Sequence, residues 1–473
     1  MRRTRLNRRD FLRAAVWAGA GPLLLPGRSW SLPERNRALP RVVHVHNGMA
    51  ARWPKTTGMY RDYVDQQTVF VMLDEAVRLL KGSSLDDAWK QVFPLADPET
   101  RHLMIKINCN NSTDPVDGAG NIIDAIPEPA VAVIRGFVRA GGLSANCHIY
   151  DMTTGSGARY IPPWFRDKVR AYYPDVQFNA SGSAQAGNDA WDPYTYVTWD
   201  PAYVDPPPDT EINSLVLDAD YIVDIPIVKR HSQANATLGY KNHLGSIRNA
   251  NALHPWLYND TPEASVLADI MGSPVVPSDP SVKSIGQKTA LVVGDMLFGQ
   301  PCSNFGHEPR PWQIYGNEWP CSLIVGDDTV ATDSVMIDIL QSEPAYDGGC
   351  GALRSWSRRY LVHAEAKGQG VHESVVLPTG QRFDPALMTY ERIDYRHIEM
   401  WPSGADLRCS RLETGDVLLE WEHYFPGNCE IHRATLPDFS DAEVVGASPT
   451  GQYIDAKPGD QAFYRVIYAD TGP

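Results

Sequence analysis

Lys229, Arg230 and His231 follow directly on an apolar, β-branched run from Tyr221 to Val228, and a second polar group, Lys241, Asn242 and His243, lies between Gly239 and Gly245. No hydrophobic core needs that polarity. Ammonium groups on Lys106, Lys229 and Lys241 and amides on Asn108 and Asn242 make a donor set suited to a carboxylate or a phosphate. Within it, His231, Lys241 and Lys229 are the candidate catalytic groups, because histidine titrates near neutral pH and a buried lysine can be shifted toward it. Lys106, Asn108 and Asn242 are the candidate substrate-binding groups. His254, with Asp151, Asp295 and Asp333, could add a divalent-metal site or acid–base work. A competing reading assigns Lys229 and Lys241 only to neutralising buried aspartates, and it requires both lysines to end in salt bridges.

The elements that must position these residues follow from hydrophobic spacing. The run from Tyr221 to Val228 reads as a strand of a sheet covered on both faces, with the cations at its carboxyl end, where open α/β sheets collect ligands. Leu103 to Ile107 is a second strand that delivers Lys106 and Asn108. A helix from Pro129 to Ala140, stopped by Gly141-Gly142, leads to a strand from Cys147 to Tyr150 that ends at Asp151. Strand, helix, strand with a polar residue at each exit is the βαβ pattern. Further strands are expected at Val42 to His46, at Thr289 to Val293 before Asp295, and at Ser322 to Val325 before Asp327 and Asp328. Helices are expected at Gln67 to Leu80, ended by Gly82, at Pro163 to Tyr173, at Ala264 to Ile270, and at Thr329 to Leu340 with Asp333 in it. The aromatic, proline-rich stretch to Pro208, with Trp191, Tyr194, Tyr196 and Trp199, reads as a cover over the sheet. The small residues from Thr153 to Gly157 lack the Gly-x-Gly-x-x-Gly order of a dinucleotide loop. The fold class is α/β, a mostly parallel sheet flanked by helices, spanning residues 40–348.

The order of Lys106-x-Asn108, Asp151, Ile225-Pro226-Ile227-Val228-Lys229-x-His231, Lys241-Asn242-x-x-Gly245, Val293-Gly294-Asp295 and Gly326-Asp327-Asp328-x-x-Ala331-x-Asp333 resembles the Domain of Unknown Function 362 family over residues 100–345. That resemblance implies the fold and the location of a site more than a reaction. Some members carry fused ferredoxin clusters, and this chain has no Cys-x-x-Cys, so no iron–sulfur motif is present. A more distant similarity is to lactate racemases that bind a nickel pincer nucleotide. There a proton-transferring histidine precedes the cofactor-bearing lysine, and a metal-binding histidine follows. Here His231 precedes Lys241 by ten residues and His254 lies beyond. The similarity implies proton and hydride chemistry with a lysine-attached nickel cofactor.

The ends of the chain differ from this centre. Arg8-Arg9-Asp10-Phe11-Leu12 before a short apolar stretch reads as a twin-arginine signal over residues 1–31, which places the mature protein in the bacterial periplasm or outside the cell. An apolar stretch of about a dozen residues is too short for a stable span after processing. Removing seven arginines and one aspartate with it takes the formal charge from −14 to −20. So acidic a protein is a poor partner for nucleic acid or an anionic membrane. In an oxidising compartment, Cys302 with Cys321 and Cys409 with Cys429 are candidate local disulfides, while Cys109 and Cys147 sit in or beside apolar strands and read as core packing. Residues 349–403 read as a linker with a helix near Arg354 to Ala366. From 404 to 473, short strands at Leu407 to Cys409, Val417 to Trp421, Cys429 to Arg433 and Phe463 to Tyr468 resemble a fibronectin type III module, an all-β sandwich with Trp421 and Tyr464 as core aromatics. Such a module implies partner docking. The sequence thus points to an exported enzyme or binder acting on a small anionic metabolite. A non-catalytic binding or scaffold protein is the alternative, and glycan binding through the C-terminal module a third.

Overall fold

Period-2 alternation along the central strands sends neighbouring residues into two different cores, one on each face of a single sheet. Leu103 and Ile105 pack on one side with Leu73, Val77 and Phe137, while Met104 packs on the other with Ile270, Val335 and Leu340. The computed structural model describes residues 39–468 except 96, 98, 153–158, 181–190, 232–234, 259–263, 276–280, 304–307, 344–352, 354, 376–387, 401–407, 421–428, 436–442, 449–451 and 457–461. The twin-arginine stretch, the Thr153 to Gly157 segment and Trp421 therefore lie outside the described residues.

The strands of the α/β unit are β1 (Arg41–His46), β2 (Leu103–Lys106), β3 (Cys147–Asp151), β4 (Gln177–Ala180), β7 (Tyr221–Asp224), β8 (Ile227–His231), β9 (Asn235–Thr237), β10 (Thr289–Ser303), β11 (Ser322–Gly326) and β12 (Asp394–Glu399). A hairpin of β5 (Trp191–Tyr196) and β6 (Glu211–Asn213) forms a separate two-stranded sheet within the expected cover. The main helices are α1 (Gln66–Lys81), α2 (Pro127–Arg139), α3 (Pro163–Tyr172), α4 (Gly239–Asn242), α5 (Val266–Gly272), α6 (Thr329–Ser342) and α7 (Arg359–Ala366). Gly82 ends α1 in the left-handed conformation, φ 62°, which its missing Cβ permits. Among the described residues no helix is long and apolar enough to cross a membrane.

Strand order is β12-β1-β11-β10-β7-β2-β3-β4, with β8 on β10 and β9 on β8. Pairing is parallel from β10 through β7, β2 and β3 to β4, and antiparallel where β11 meets β10 and β1. The sheet is therefore mostly parallel and flanked by helices, as expected. Three expectations need correction. The apolar run from Tyr221 does not continue as one strand, because Pro226 cannot donate to a ladder. β7 ends at Asp224, and β8 starts at Ile227 and turns back through β9, so Lys229, Arg230 and His231 lie inside a strand and not beyond its end. Asp295 likewise sits within the long β10. Asp327 and Asp328 leave the sheet at the edge opposite Asp151, because β11 runs antiparallel to β10.

The stretch expected as a linker contributes α7, which packs on α5 and α6, and β12, which pairs in parallel with β1 at the sheet edge. Beyond it lie two three-stranded antiparallel sheets, β13 (Arg408–Arg411), β14 (Val417–Glu420) and β17 (Gln452–Asp455), and β16 (Glu443–Ser448), β15 (Cys429–Ala434) and β18 (Phe463–Tyr468). Leu419 of the first sheet and Ile431 of the second share one small core, with Tyr464 against it. Cys321 and Cys409 carry free thiols, so neither expected disulfide forms; Cys321 Sγ instead donates to Ala51 O at 3.2 Å. Cys109 and Cys147 are buried in the core, as their apolar strands suggested.

Candidate functional site

Parallel pairing of β2 with β3 places Lys106 opposite Tyr150, one residue short of Asp151. Lys106 Nζ reaches Asp151 Oδ1 at 3.0 Å and Asn242 Oδ1 at 3.1 Å, and also donates to the carbonyl of Ile107. An ammonium has three donors, so this lysine is saturated by protein. Both oxygens of Asp151 are engaged as well, Oδ2 accepting from Cys109 N at 2.6 Å. The amides complete the floor. Asn108 Nδ2 donates to Asn242 Oδ1 at 3.2 Å, and Asn242 Nδ2 donates to Asp224 Oδ1 at 2.6 Å. The floor closes over Gly245, where an added Cβ would stand 2.0 Å from Asp151 Oδ1 and 2.6 Å from Lys106 Nζ. Only glycine allows the turn after α4 to approach this pair so closely.

Above the floor the cations are less well provided for. Lys229, fully buried in β8, donates to Asn108 Oδ1 at 3.1 Å. Burial pulls its ammonium down to about 8, against the opposing pull of Asp124 and Asp151. The side chain of Lys241, half-buried on α4, makes no hydrogen bond and no ion pair among the described residues. Burial, then the charges of Lys229, Lys106 and Arg159, bring it down to about 7, with Asp151 the one carboxylate working the other way. His231, on the same strand as Lys229, is held neutral by burial first and by Lys241, Lys229 and His254 after it. His254, whose Nδ1 lies 2.9 Å from Asn251 O, is also lowered by burial and by Lys241.

The predicted site residues therefore divide. Lys106, Asn108, Asn242 and Asp151 interlock; Lys229 joins them through Asn108; His231 and His254 both feel the charge of Lys241. Asp333 does not join the acidic set. Its carboxylate accepts from Gly239 N at 2.8 Å, Tyr240 N at 3.0 Å and Tyr360 OH at 3.0 Å, so it anchors the first turn of α4. Burial raises it to about 7. Asp295 accepts from Leu297 N at 3.1 Å, and the charge it feels is that of Glu128. His254, Asp151, Asp295 and Asp333 are not brought together, and among the described residues no group of three or more histidine, cysteine or acidic side chains is arranged to hold a metal ion.

Sequence reading missed three participants. Arg159, buried, donates to Asn110 Oδ1 at 3.1 Å and adds a fourth cation; a lone arginine after a small-residue segment gave no signal. Asp124 accepts from Ser112 Oγ at 2.5 Å and faces Lys229, and burial raises it to about 6. Asp224, fully buried, interrupts an apolar strand, which was a readable sign. Its Oδ2 and His243 Nε2, 3.9 Å apart, each lack a hydrogen-bond partner, and His243 Nδ1 continues to Ser246 Oγ at 2.9 Å.

Residues 188–338 match the model of a family described as Domain of unknown function (DUF362). The match takes in Asp224, Lys229, His231, Lys241, Asn242, His254, Asp295 and Asp333, and it stops short of Lys106, Asn108, Asp151 and Arg159. No curated protein matches the sequence.

Proposed function

We propose that the protein binds a small anionic metabolite above the Lys106–Asn242 floor and transfers a proton on it. The observation that carries this reading is Lys241, an amine without a partner among the described residues that feels three other cations and one carboxylate. An arrangement kept only for stability would pair that charge or replace it. A carboxylate or phosphate would complete it, bound by Lys241, Lys229 and Arg159, while Lys106, Asn108 and Asn242 hold the lysines in place. Lys241, near neutral pKa, is then the acid–base group. His231 is a weak base until an anion offsets the surrounding cations.

Isothermal titration of the full chain with small carboxylates, phosphate and their neutral analogues tests this. The anions are expected to bind, and Lys241→Met to weaken binding by about tenfold to a hundredfold, the loss of one charge-assisted contact of roughly 1.5–3 kcal/mol. No response to any anion, or binding unchanged in that variant, would return the cluster to a scaffold role. A second reading uses the same residues for a lysine-attached nickel nucleotide. It is favoured by the free amine of Lys241 and by His231 and His254, which both feel its charge. Such a group would supply a hydride-accepting centre, with Lys241 as its attachment point. Extra mass on Lys241 in protein purified from its native route would select it.

We also propose twin-arginine export, and a docking role for the C-terminal sheets as a fibronectin type III-like module. Loss of the mature protein from the periplasm when Arg8 and Arg9 are replaced by lysine would support the first.

A further inference from the structure

Resting on the anion-site reading, we infer that the ligand carries a carbonyl beside its acidic group, a 2-oxo acid, and that Lys241 forms an imine with it. Four observations converge. Lys241 is the one site lysine whose amine is committed to no protein acceptor among the described residues, whereas Lys106 has all three donors engaged and Lys229 donates to Asn108. Of these three it alone keeps partial access to solvent. The turn that carries it is fixed by two backbone bonds to Asp333, from Gly239 N and Tyr240 N. Lys229 and Arg159 beside it offer charge for the carboxylate that a 2-oxo acid carries next to its carbonyl. Burial, and after it the neighbouring cations, lower the Lys241 ammonium to about 7, which leaves much of the amine unprotonated at neutral pH, the condition for nucleophilic attack.

The reaction needs no oxidant. The lone pair of Lys241 Nζ forms the C–N bond as the carbonyl π pair moves to oxygen, and a nitrogen proton passes to that oxygen to give the carbinolamine. A second proton transfer releases the oxygen as water and leaves the imine. Protonation of the imine nitrogen then makes it an electron sink for a bond to the adjacent carbon.

The full chain, incubated with pyruvate or 2-oxoglutarate and cyanoborohydride and then digested, is expected to carry one reduced adduct on the peptide containing Lys241, ahead of every other lysine. Lactate, which binds as an anion but has no ketone, gives none and suppresses the pyruvate adduct. Lys241→Arg keeps the charge and loses the adduct. If that variant does not fold, lactate suppression in the parent carries the same information. Anion binding by titration without an adduct on Lys241, or labelling spread over exposed lysines, overturns the imine and leaves the anion site standing. Neither binding nor adduct removes both.

Discussion

At the exit of β2 every donor of Lys106 meets a protein acceptor, whereas on α4 Lys241 ends with none among the described residues. The two lysines belong to one cluster of charge, since Lys241 feels the charge of Lys106. What separates them is the backbone that delivers them. Parallel strands β2 and β3 bring Lys106 and Asp151 together as a fixed pair, and the Gly239 to Gly245 turn lays Asn242 across them. The same turn carries Lys241, whose side chain makes no ion pair among the described residues. Burial with full pairing makes a floor, and burial without pairing makes a group with something left to bind.

This contrast breaks most sharply at Lys106. Lys106→Met leaves Asp151 and the Asn242 carbonyl buried without their cation, and should cost about 3–5 kcal/mol in urea unfolding. A cost near zero would mean that the floor is not the tight network its hydrogen bonds describe. Next in size is Gly245→Ala, whose methyl must displace the Lys106–Asp151 pair. Overpacking of this kind costs roughly 1–3 kcal/mol, read in the same experiment. It should also weaken anion binding, because Lys106 and Asn242 position the lysines above them.

The floor was largely legible in the sequence. Lys106-x-Asn108 after an apolar strand and Asp151 after another needed only the rule that parallel strands pair side by side and open at one edge. The failures lie where long-range geometry overrides local pattern. Asp295 looked like a strand exit because Gly294 precedes it, yet β10 runs on to Ser303 against β8. Asp333 carries the polarity of a ligand but serves the backbone of α4, a partner 93 residues away that no local pattern reveals. Arg159 and Asp124 reach the cluster from loops. β12 completes the sheet from a segment with no strong periodicity, its place set by pairing with β1.

A smaller effect sharpens the contrast through protons. Lys241 and Lys229 are lowered to about 7 and about 8 in the fold, while an unfolded lysine titrates near 10.4. Between those values the unfolded chain binds more protons, so stability rises as pH rises from about 7 to 10 and is lost as pH falls through 7. An arriving anion restores the ammonium. Binding should therefore take up protons between pH 7 and 9, seen as a dependence of the titration heat on the buffer's ionisation enthalpy, and should weaken as pH rises. Heat independent of the buffer would mean that no cluster lysine changes its charge on binding.

The smallest expected effect is the most discriminating. Lys241→Met removes a cation that has no partner to lose among the described residues and replaces it with a flexible apolar chain of similar length. Stability at pH 7 should not fall below the parent's, because the buried ammonium that the fold disfavours is gone, and the rise between pH 7 and 10 should flatten. Lys106→Met is the same chemical change a few residues of sheet away, and there stability is expected to fall. If both variants lost comparable stability, Lys241 would be structural in the way Lys106 is. A large loss at Lys106 beside near silence at Lys241 would separate the lysine kept for the fold from the lysine kept for a ligand.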